Sequence, residues 1–187
     1  MNIEESELYA AELIDREEFP EAERLLASLA DEGSVYALMA LAWIYENGCL
    51  GSKNVRFAQY YYEQAISRES TDALLHLGLL LLSEDRKVEA QMAFERGAEK
   101  GHIGCSVELG WMLANGFGGP TRITEGREIL EKASNKGHLF AQRRIISLDL
   151  AENPRFIKKI SILRNLLVVA WKMAREIYRN RRSDKIW

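Results

Sequence analysis

The fold is decided by two matching stretches of sequence, Leu41-Ala42-Trp43-Ile44-Tyr45-Glu46-Asn47-Gly48 and Leu109-Gly110-Trp111-Met112-Leu113-Ala114-Asn115-Gly116, which lie 68 residues apart. Both stretches contain the same leucine, tryptophan and closing Asn-Gly pair. The apolar side chains recur at the spacing of an amphipathic helix, and glycine tolerates the left-handed conformation in which helices end. Since the matches continue on both sides, the chain contains an internal repeat of helical segments.

The 68-residue period consists of two repeats of unequal length. The longer repeats carry four extra residues after their first helix, within the glycine-containing segments 47–51 and 115–120. Long and short repeats are therefore predicted to alternate, with the extra residues in a longer turn between two helices. The residues in matching places, separated by 36, 32 and 36 positions, are Ala37, Ala73, Cys105 and Ala141.

Each repeat is predicted to hold two amphipathic helices. In the second repeat the first helix covers residues 34–47 and its partner covers 55–67, and each has an apolar stripe at helical spacing. Small residues recur where two such helices must approach closely, at Ala42, Gly78 and Gly110. The sequence therefore predicts at least nine helices and no sheet, with the two tryptophans of the opening stretches in equivalent positions.

The composition agrees with an all-α chain that does not span a membrane. Hydrophobic residues make up 47% of the 187 residues, and only three prolines are present. The longest stretches without a charge, 33–45 and 109–121, are shorter than the roughly 18 apolar residues that a span requires. The acidic start, residues 1–7, lacks the basic end and apolar run of a secretion signal. We therefore expect a cytoplasmic location.

The cysteines and histidines do not form a recognisable chemical site. Cys49 and Cys105 lie far apart and have no His or Cys at metal-ligand spacing, so neither a disulfide framework nor a zinc site is indicated. His102 and His138 each follow a glycine at the start of a first helix, and such a repeated position implies a structural role. The repeat brings together no catalytic triad or phosphate loop. We expect no enzyme activity, no cofactor and no metal.

The helical repeats resemble a known family. The pattern Leu-small-x-x-Tyr-x-x-Gly, followed by Ala-x-x-Tyr-Tyr-x-x-Ala, is similar to Sel1-like repeats, which are relatives of tetratricopeptide repeats, over roughly residues 4–151. The resemblance implies an all-α fold, a right-handed α-α superhelix in which residues 1–151 form a solenoid of about four helical hairpins. It also implies a non-enzymatic scaffold or adaptor. The last helix departs from the pattern at Arg143 and Arg144. The pattern is carried by Leu41, Ala42, Tyr45, Gly48, Ala58, Tyr61, Tyr62 and Ala65.

The resemblance also implies where a partner binds. Solenoids of this kind bind partners mainly on the concave face, which their first helices line. Apolar and aromatic side chains exposed there are typical anchors for a protein or peptide. The same stripe would result if these side chains packed against neighbouring helices or were covered by the C-terminal segment, so both alternatives remain open. Counted from the small residues, the inward-facing side chains are Met39, Trp43, Leu75, Leu79, Val107 and Trp111.

The C-terminal segment, residues 152–187, differs from the body in charge. Residues 1–153 hold 15 Lys and Arg against 26 Asp and Glu, whereas residues 154–187 hold 10 against 2. From residue 155 to about residue 182 the sequence predicts one long amphipathic helix that begins after a proline. One face of it is apolar and is formed by Ile160, Leu163, Leu167, Ala170, Trp171, Ala174, Ile177 and Tyr178. Further apolar residues widen this face beyond that of a plain surface helix, and they are Ile157, Ile162, Leu166, Val168, Val169 and Met173.

The sequence leaves three roles open for this basic helix. It could cap the solenoid by packing on the last repeat, pair with a protein partner or a second copy of the chain, or lie on an anionic membrane surface. The last role would make the chain a peripheral membrane protein. We expect the cap, with the helix required for solubility, and no nucleic acid binding, since no reader motif is present. The residues expected to contact a membrane or partner are Lys158, Lys159, Arg164, Trp171, Lys172 and Arg175.

Overall fold

The computed structural model describes residues 2–152 and 156–182, and it describes side chains for residues 2–152 and 162–177. These residues form ten helices and no strand, which confirms the predicted all-α class and the expectation of at least nine helices. The helices are α1 Ile3–Asp15, α2 Phe19–Asp31, α3 Val35–Asn47, α4 Val55–Ser67, α5 Thr71–Ser83, α6 Lys87–Glu99, α7 Ile103–Asn115, α8 Ile123–Asn135, α9 Leu139–Glu152 and α10 Phe156–Arg182.

The chain divides into two compact units. The N-terminal unit, Met1–His102, contains α1 to α6, and the C-terminal unit, Ile103–Trp187, contains α7 to α10. Within each unit every helix packs on the next one along the chain, and in the C-terminal unit α7 also contacts α9. The predicted separation of residues 152–187 as a distinct capping element stays a prediction.

The eight helices from α1 to α8 have the same length, so equivalent positions can be compared directly. Each of them contains 13 residues. Trp43 is the ninth residue of α3 and Trp111 is the ninth residue of α7, which confirms their predicted equivalence. The third residues of the first helices α3, α5, α7 and α9 are inaccessible to solvent, and they are Ala37, Ala73, Cys105 and Ala141.

The turns inside the hairpins have two lengths, as predicted. The α3–α4 turn, residues 48–54, and the α7–α8 turn, residues 116–122, have seven residues, whereas the α5–α6 turn, residues 84–86, has three. Gly48 ends α3 with a φ of +70°, and a Cβ there would lie 2.7 Å from the backbone nitrogen of Lys53. Both the positive φ and this close approach require glycine at the start of the longer turn.

Small residues allow the two helices of a hairpin to pack closely. Gly78 and Gly110 are the eighth residues of α5 and α7, where the prediction placed a close approach. A Cβ on Gly78 would overlap the ring of Phe94 in α6, and one on Gly110 would lie 2.9 Å from the carbonyl oxygen of Gly126 in α8. Ala42, at the same position of α3, is fully buried. The predicted close approach is therefore confirmed.

The starts of the first helices share one structural position. Ser34 and Ser70 precede α3 and α5, and each hydroxyl oxygen accepts a hydrogen bond from a backbone N–H of the first turn, which stabilises the helix start. His102 and His138 occupy the same place before α7 and α9. The Nε2 atom of His102 lies 2.9 Å from the carboxylate of Asp72 in α5. Both histidines therefore stand at helix corners, as their repeated position predicted.

The long C-terminal helix exists, and it packs through the residues that widen its predicted apolar face. α10 lies against α9, and its buried side chains are Ile162 and Val169, with Leu166 and Met173 partly buried beside them. This stripe has the 4-3-4 spacing with which one helix packs along another. The predicted apolar face of α10 is wider than one neighbouring helix can cover, so that only part of it is buried.

The predicted stripe of α10 is exposed where its side chains are described. The structure does not describe the side chains of Lys158, Lys159, Ile160 and Tyr178, and residues 153–155 lie outside the described part of the chain altogether. No helix among the described residues is both long and apolar enough to cross a bilayer. The exposed members of the predicted stripe are Leu163, Leu167, Ala170, Trp171, Ala174 and Ile177.

Candidate protein-interaction site

The first helices of the N-terminal unit present apolar side chains to solvent. Met39 and Trp43 are the fifth and ninth residues of α3, and Leu75 and Leu79 are the fifth and ninth of α5. Residues four apart lie on the same side of a helix. Leu79 is 39% exposed, and the other three side chains are partly exposed. We call these four residues the α3–α5 apolar face.

Polar contacts of two tyrosines, one of them buried and one partly buried, hold the helices behind this face. The Tyr62 hydroxyl of α4 donates a hydrogen bond to Glu46 of α3 at 2.7 Å, and the Tyr45 hydroxyl donates one to Glu23 of α2. Burial, and then the carboxylate that accepts the hydrogen bond, raises the pKa of both hydroxyls well above the ordinary tyrosine value. The ring of His76 stacks on Tyr62, with centroids 5.9 Å apart. These contacts fix the hairpin that carries Trp43.

The C-terminal unit does not present the same face. Val107, the fifth residue of α7, is only 1% exposed and belongs to the core formed by α7, α8 and α9. It therefore cannot line an open groove, because the side chains of the following hairpin cover it. Trp111 is partly exposed and packs against this core together with Ile145.

An arginine of α9 covers the ring of Trp111. The guanidinium carbon of Arg144 lies 4.4 Å from the ring centroid, within the range of a cation–π contact. Its Nη2 atom donates to both oxygens of Glu108, at 2.8 and 3.1 Å. We did not predict this cluster, although Glu108 and Arg144 are both sixth residues of successive first helices. The signal available in the sequence was this pair of opposite charges at the same position of two successive first helices.

Two ion pairs hold α9 on α8. The guanidinium of Arg127 contacts Asp149 at 2.9 Å and Glu152 at 3.0 Å. Burial acts to lower the pKa of Arg127, but the hydrogen bonds to the two carboxylates outweigh it and raise the pKa. These ion pairs therefore also help to hold α9 in the position from which Arg144 covers Trp111.

The basic side chains that are described on α10 lie at the surface. Arg164, Lys172 and Arg175 are exposed, and so is Trp171, with the Arg175 guanidinium 5.5 Å from its ring centroid. An open groove of about 340 Å³ runs beside them. Its lining consists of Gly137, Leu139, Lys172, Arg175 and Glu176.

The cysteines are placed as structural residues. Neither Cys49 nor Cys105 forms a disulfide, and Cys105 is fully buried at a core position of the repeat. Burial raises the pKa of the Cys49 thiol. The part of the chain that the structure describes contains no group of three or more His, Cys, Asp and Glu side chains that could hold a metal ion.

Solved structures with the same fold support the predicted resemblance. A Sel1 repeat protein from Oxalobacter formigenes is 22% identical and has a TM-score of 0.64, covering 78% of this chain and 63% of its own. A protective antigen of uropathogenic Escherichia coli that displays an SLR fold is 19% identical with a TM-score of 0.63, covering 75% of this chain and 32% of its own. A Klebsiella pneumoniae protein classed with the sel1 repeat proteins is 17% identical with a TM-score of 0.57, covering 97% and 93%.

These similarities establish the fold. The chain has the α-α solenoid fold of Sel1 repeat proteins, which confirms the resemblance predicted from its repeats. It spans less than two thirds of the length of the first two structures. No protein-family profile and no curated protein sequence matches the chain.

Proposed function

We propose that this chain is a non-enzymatic adaptor that binds a protein or peptide segment on the α3–α5 apolar face. The proposal rests on the exposure of Leu79, which is 39% exposed and stands in line with three partly exposed apolar side chains. Helical solenoids generally use the surface of their stacked helices to bind other proteins. Large apolar side chains grouped on such a surface, with a tryptophan among them, are typical binding anchors.

The charge of the N-terminal unit indicates the chemistry of the partner. Residues 1–102 hold 9 Lys and Arg against 20 Asp and Glu, whereas residues 103–153 hold 6 against 6. An acidic surface attracts a segment in which Lys or Arg flank the apolar side chains, and such attraction raises association rates. We therefore expect a partner segment that is apolar along one side and basic beside it.

The proposal is tested by affinity capture with the intact chain and two matched variants. Leu79→Glu places a charge on the α3–α5 apolar face, and Met92→Glu places one on an exposed apolar residue of α6 in the same unit. A partner bound on the face should be captured about tenfold less by Leu79→Glu and equally well by Met92→Glu. Circular dichroism confirms that both variants are folded.

Trp43→Ala serves as the second variant on the face. Anchors of this size typically contribute about 2 kcal/mol or more to binding, so capture should again fall. A partner that both Leu79→Glu and Trp43→Ala retain at the level of the unchanged chain would show that binding occurs elsewhere. That result would refute the assignment of the face.

A further inference from the structure

The helix α10 has two apolar stripes, and only one of them is covered. The inner stripe consists of Ile162, Leu166, Val169 and Met173 and packs on α9. The outer stripe is exposed along its whole described length, with Leu167 at 65% and Trp171 at 62%. It consists of Leu163, Leu167, Ala170, Trp171, Ala174 and Ile177.

The outer stripe is broad enough to meet a flat apolar layer. At about 100° per residue its members cover an arc of about 120° of the helix surface. Four of its members are more than half exposed, and they are Leu163, Leu167, Trp171 and Ile177. Contiguous apolar exposure of this kind on a folded chain marks a surface that binds something apolar.

The charge of α10 selects an anionic occupant. Arg164 and Arg175 border the outer stripe on the side away from the inner one, and Lys172 lies farther round the same side of the helix. Residues 156–182 hold eight Lys and Arg against one Glu, and the C-terminal unit as a whole holds 16 basic against 8 acidic residues. Two copies of α10 would bring like charges together, which disfavours pairing through this stripe. An anionic surface, by contrast, is complementary in charge to the basic residues that border the outer stripe.

The groove beside α10 lies on that basic edge. Lys172, Arg175 and Glu176 line it from α10, and Gly137 and Leu139 line it beside the start of α9. Long basic side chains beside an apolar stripe can reach the phosphate groups of lipids while the stripe enters the acyl boundary. Trp171, next to Arg175, has the amphipathic ring that is favoured at this depth.

We propose that α10 docks the chain on an anionic lipid bilayer through its outer stripe while the inner stripe stays packed on α9. The helix then lies in the plane of the membrane surface, with its basic edge on lipid phosphates and its outer stripe in the interfacial region. Packing on the repeats and docking on a membrane use different stripes of the same helix. The two roles are therefore compatible, and α10 need not detach from α9 in order to bind.

Vesicle co-sedimentation of the full chain tests the docking. The chain should bind vesicles of an equimolar mixture of phosphatidylcholine and phosphatidylserine, and bind vesicles of phosphatidylcholine alone far more weakly. Leu167→Glu should lower the partition onto the mixed vesicles by about tenfold or more, since a charge replaces an inserted apolar side chain. Arg164→Gln and Arg175→Gln should each lower it by about fivefold.

Matched variants separate docking from other effects. Met92→Glu, on α6 of the N-terminal unit, should bind mixed vesicles as the unchanged chain does, and so should Leu79→Glu. Trp171→Glu provides a second test of the outer stripe if Leu167→Glu does not fold. If the Leu79→Glu variant still binds vesicles, membrane docking does not depend on the α3–α5 apolar face. The docking proposal and the proposed partner binding on that face can then fail independently.

Two results would overturn the docking. One is failure of the intact chain to bind the mixed vesicles, including the case in which the outer stripe instead forms a dimer that Leu167→Glu dissociates in size-exclusion chromatography with light scattering. The other is unchanged vesicle binding by both Leu167→Glu and Trp171→Glu. Hydrogen exchange tests the second half of the proposal. The amides of α9 should exchange no faster on vesicles, and faster exchange there would show that α10 leaves α9.

Discussion

The two tryptophans at the same repeat position are followed by different residues at the sixth position of the next first helix. Trp111 is covered by the guanidinium of Arg144, the sixth residue of the next first helix. The same position of α5 holds His76, whose ring stacks on Tyr62. Equivalent positions of successive first helices thus hold a cation in the C-terminal unit and a histidine in the N-terminal unit.

The fifth residues of the first helices show the same contrast. Leu75 of α5 is partly exposed, whereas Val107 of α7 is buried among side chains of α8 and α9. The fifth position of the first helices is therefore partly exposed in α5 of the N-terminal unit and part of the core in α7 of the C-terminal unit. Four predictions test this contrast.

The largest effect is expected from a charge at the fifth position. Val107→Asp should lower the free energy of unfolding by about 3 kcal/mol or more, because an isolated charge would enter an apolar core. Leu75→Asp should lower it by less than about 1 kcal/mol, because the new carboxylate reaches water. Urea denaturation measures both. Similar losses in the two variants would remove the distinction between surface and core.

An added methyl group at the eighth position of a first helix should destabilise the fold in both units. Gly110→Ala should cost about 1–3 kcal/mol, since its Cβ would lie 2.9 Å from the carbonyl oxygen of Gly126, a backbone atom that cannot move independently. Gly78→Ala should cost at least as much, because its Cβ would overlap three ring atoms of Phe94, which is fully buried. Thermal unfolding gives the order of the two, and a smaller loss for Gly78→Ala would show that the Phe94 ring can shift.

Removal of the cover over Trp111 should have a moderate effect. Arg144→Met breaks both the contact with the indole ring and the ion pair with Glu108, and should cost about 1–2 kcal/mol. Acrylamide should then quench tryptophan fluorescence more strongly. Arg143→Met is the matched control, since Arg143 is exposed and lies 5.7 Å over the Phe140 ring. Equal quenching in the two variants would argue against Arg144 as a cover.

The smallest effect concerns alkaline pH and distinguishes the two units. The raised pKa of Tyr62 means that its stabilising contribution is complete below the ordinary tyrosine pKa of about 10 and is lost as the pH rises above it. Tyr62→Phe should therefore reduce the loss of stability above that pH. Leu130 occupies the same position of α8, so no matching contribution arises there. An unchanged pH dependence in Tyr62→Phe would contradict this assignment.

The repeat made much of the fold predictable from the chain alone. Ala37, Ala73, Cys105 and Ala141 are buried because helical spacing and the steps of 36 and 32 residues place them on the same inner side. The two turn lengths followed from the same counting. Such features depend on local geometry, which the order of the residues carries directly.

Other features could not be predicted because they depend on which helix packs against a given apolar stripe. The stripe of α10 that packs on α9 is one of two apolar stripes, and helical spacing alone does not choose between Leu166 and Leu167. In the same way, Val107 has the periodicity of a surface stripe and becomes core only because α8 and α9 cover it. Burial is a property of pairs of elements, and a pattern within one element leaves its partner open.

The sequence by itself determined the all-α class, the alternating hairpins, the equivalence of Trp43 and Trp111, and the basic charge of the last helix. Only the tertiary structure decided that Arg144 covers Trp111, that the apolar face of the first helices stays accessible in the N-terminal unit, and that α10 keeps an exposed stripe. The physical reason is that backbone propensity and periodicity act within a few residues. Exposure is set by side chains that lie far apart in the chain.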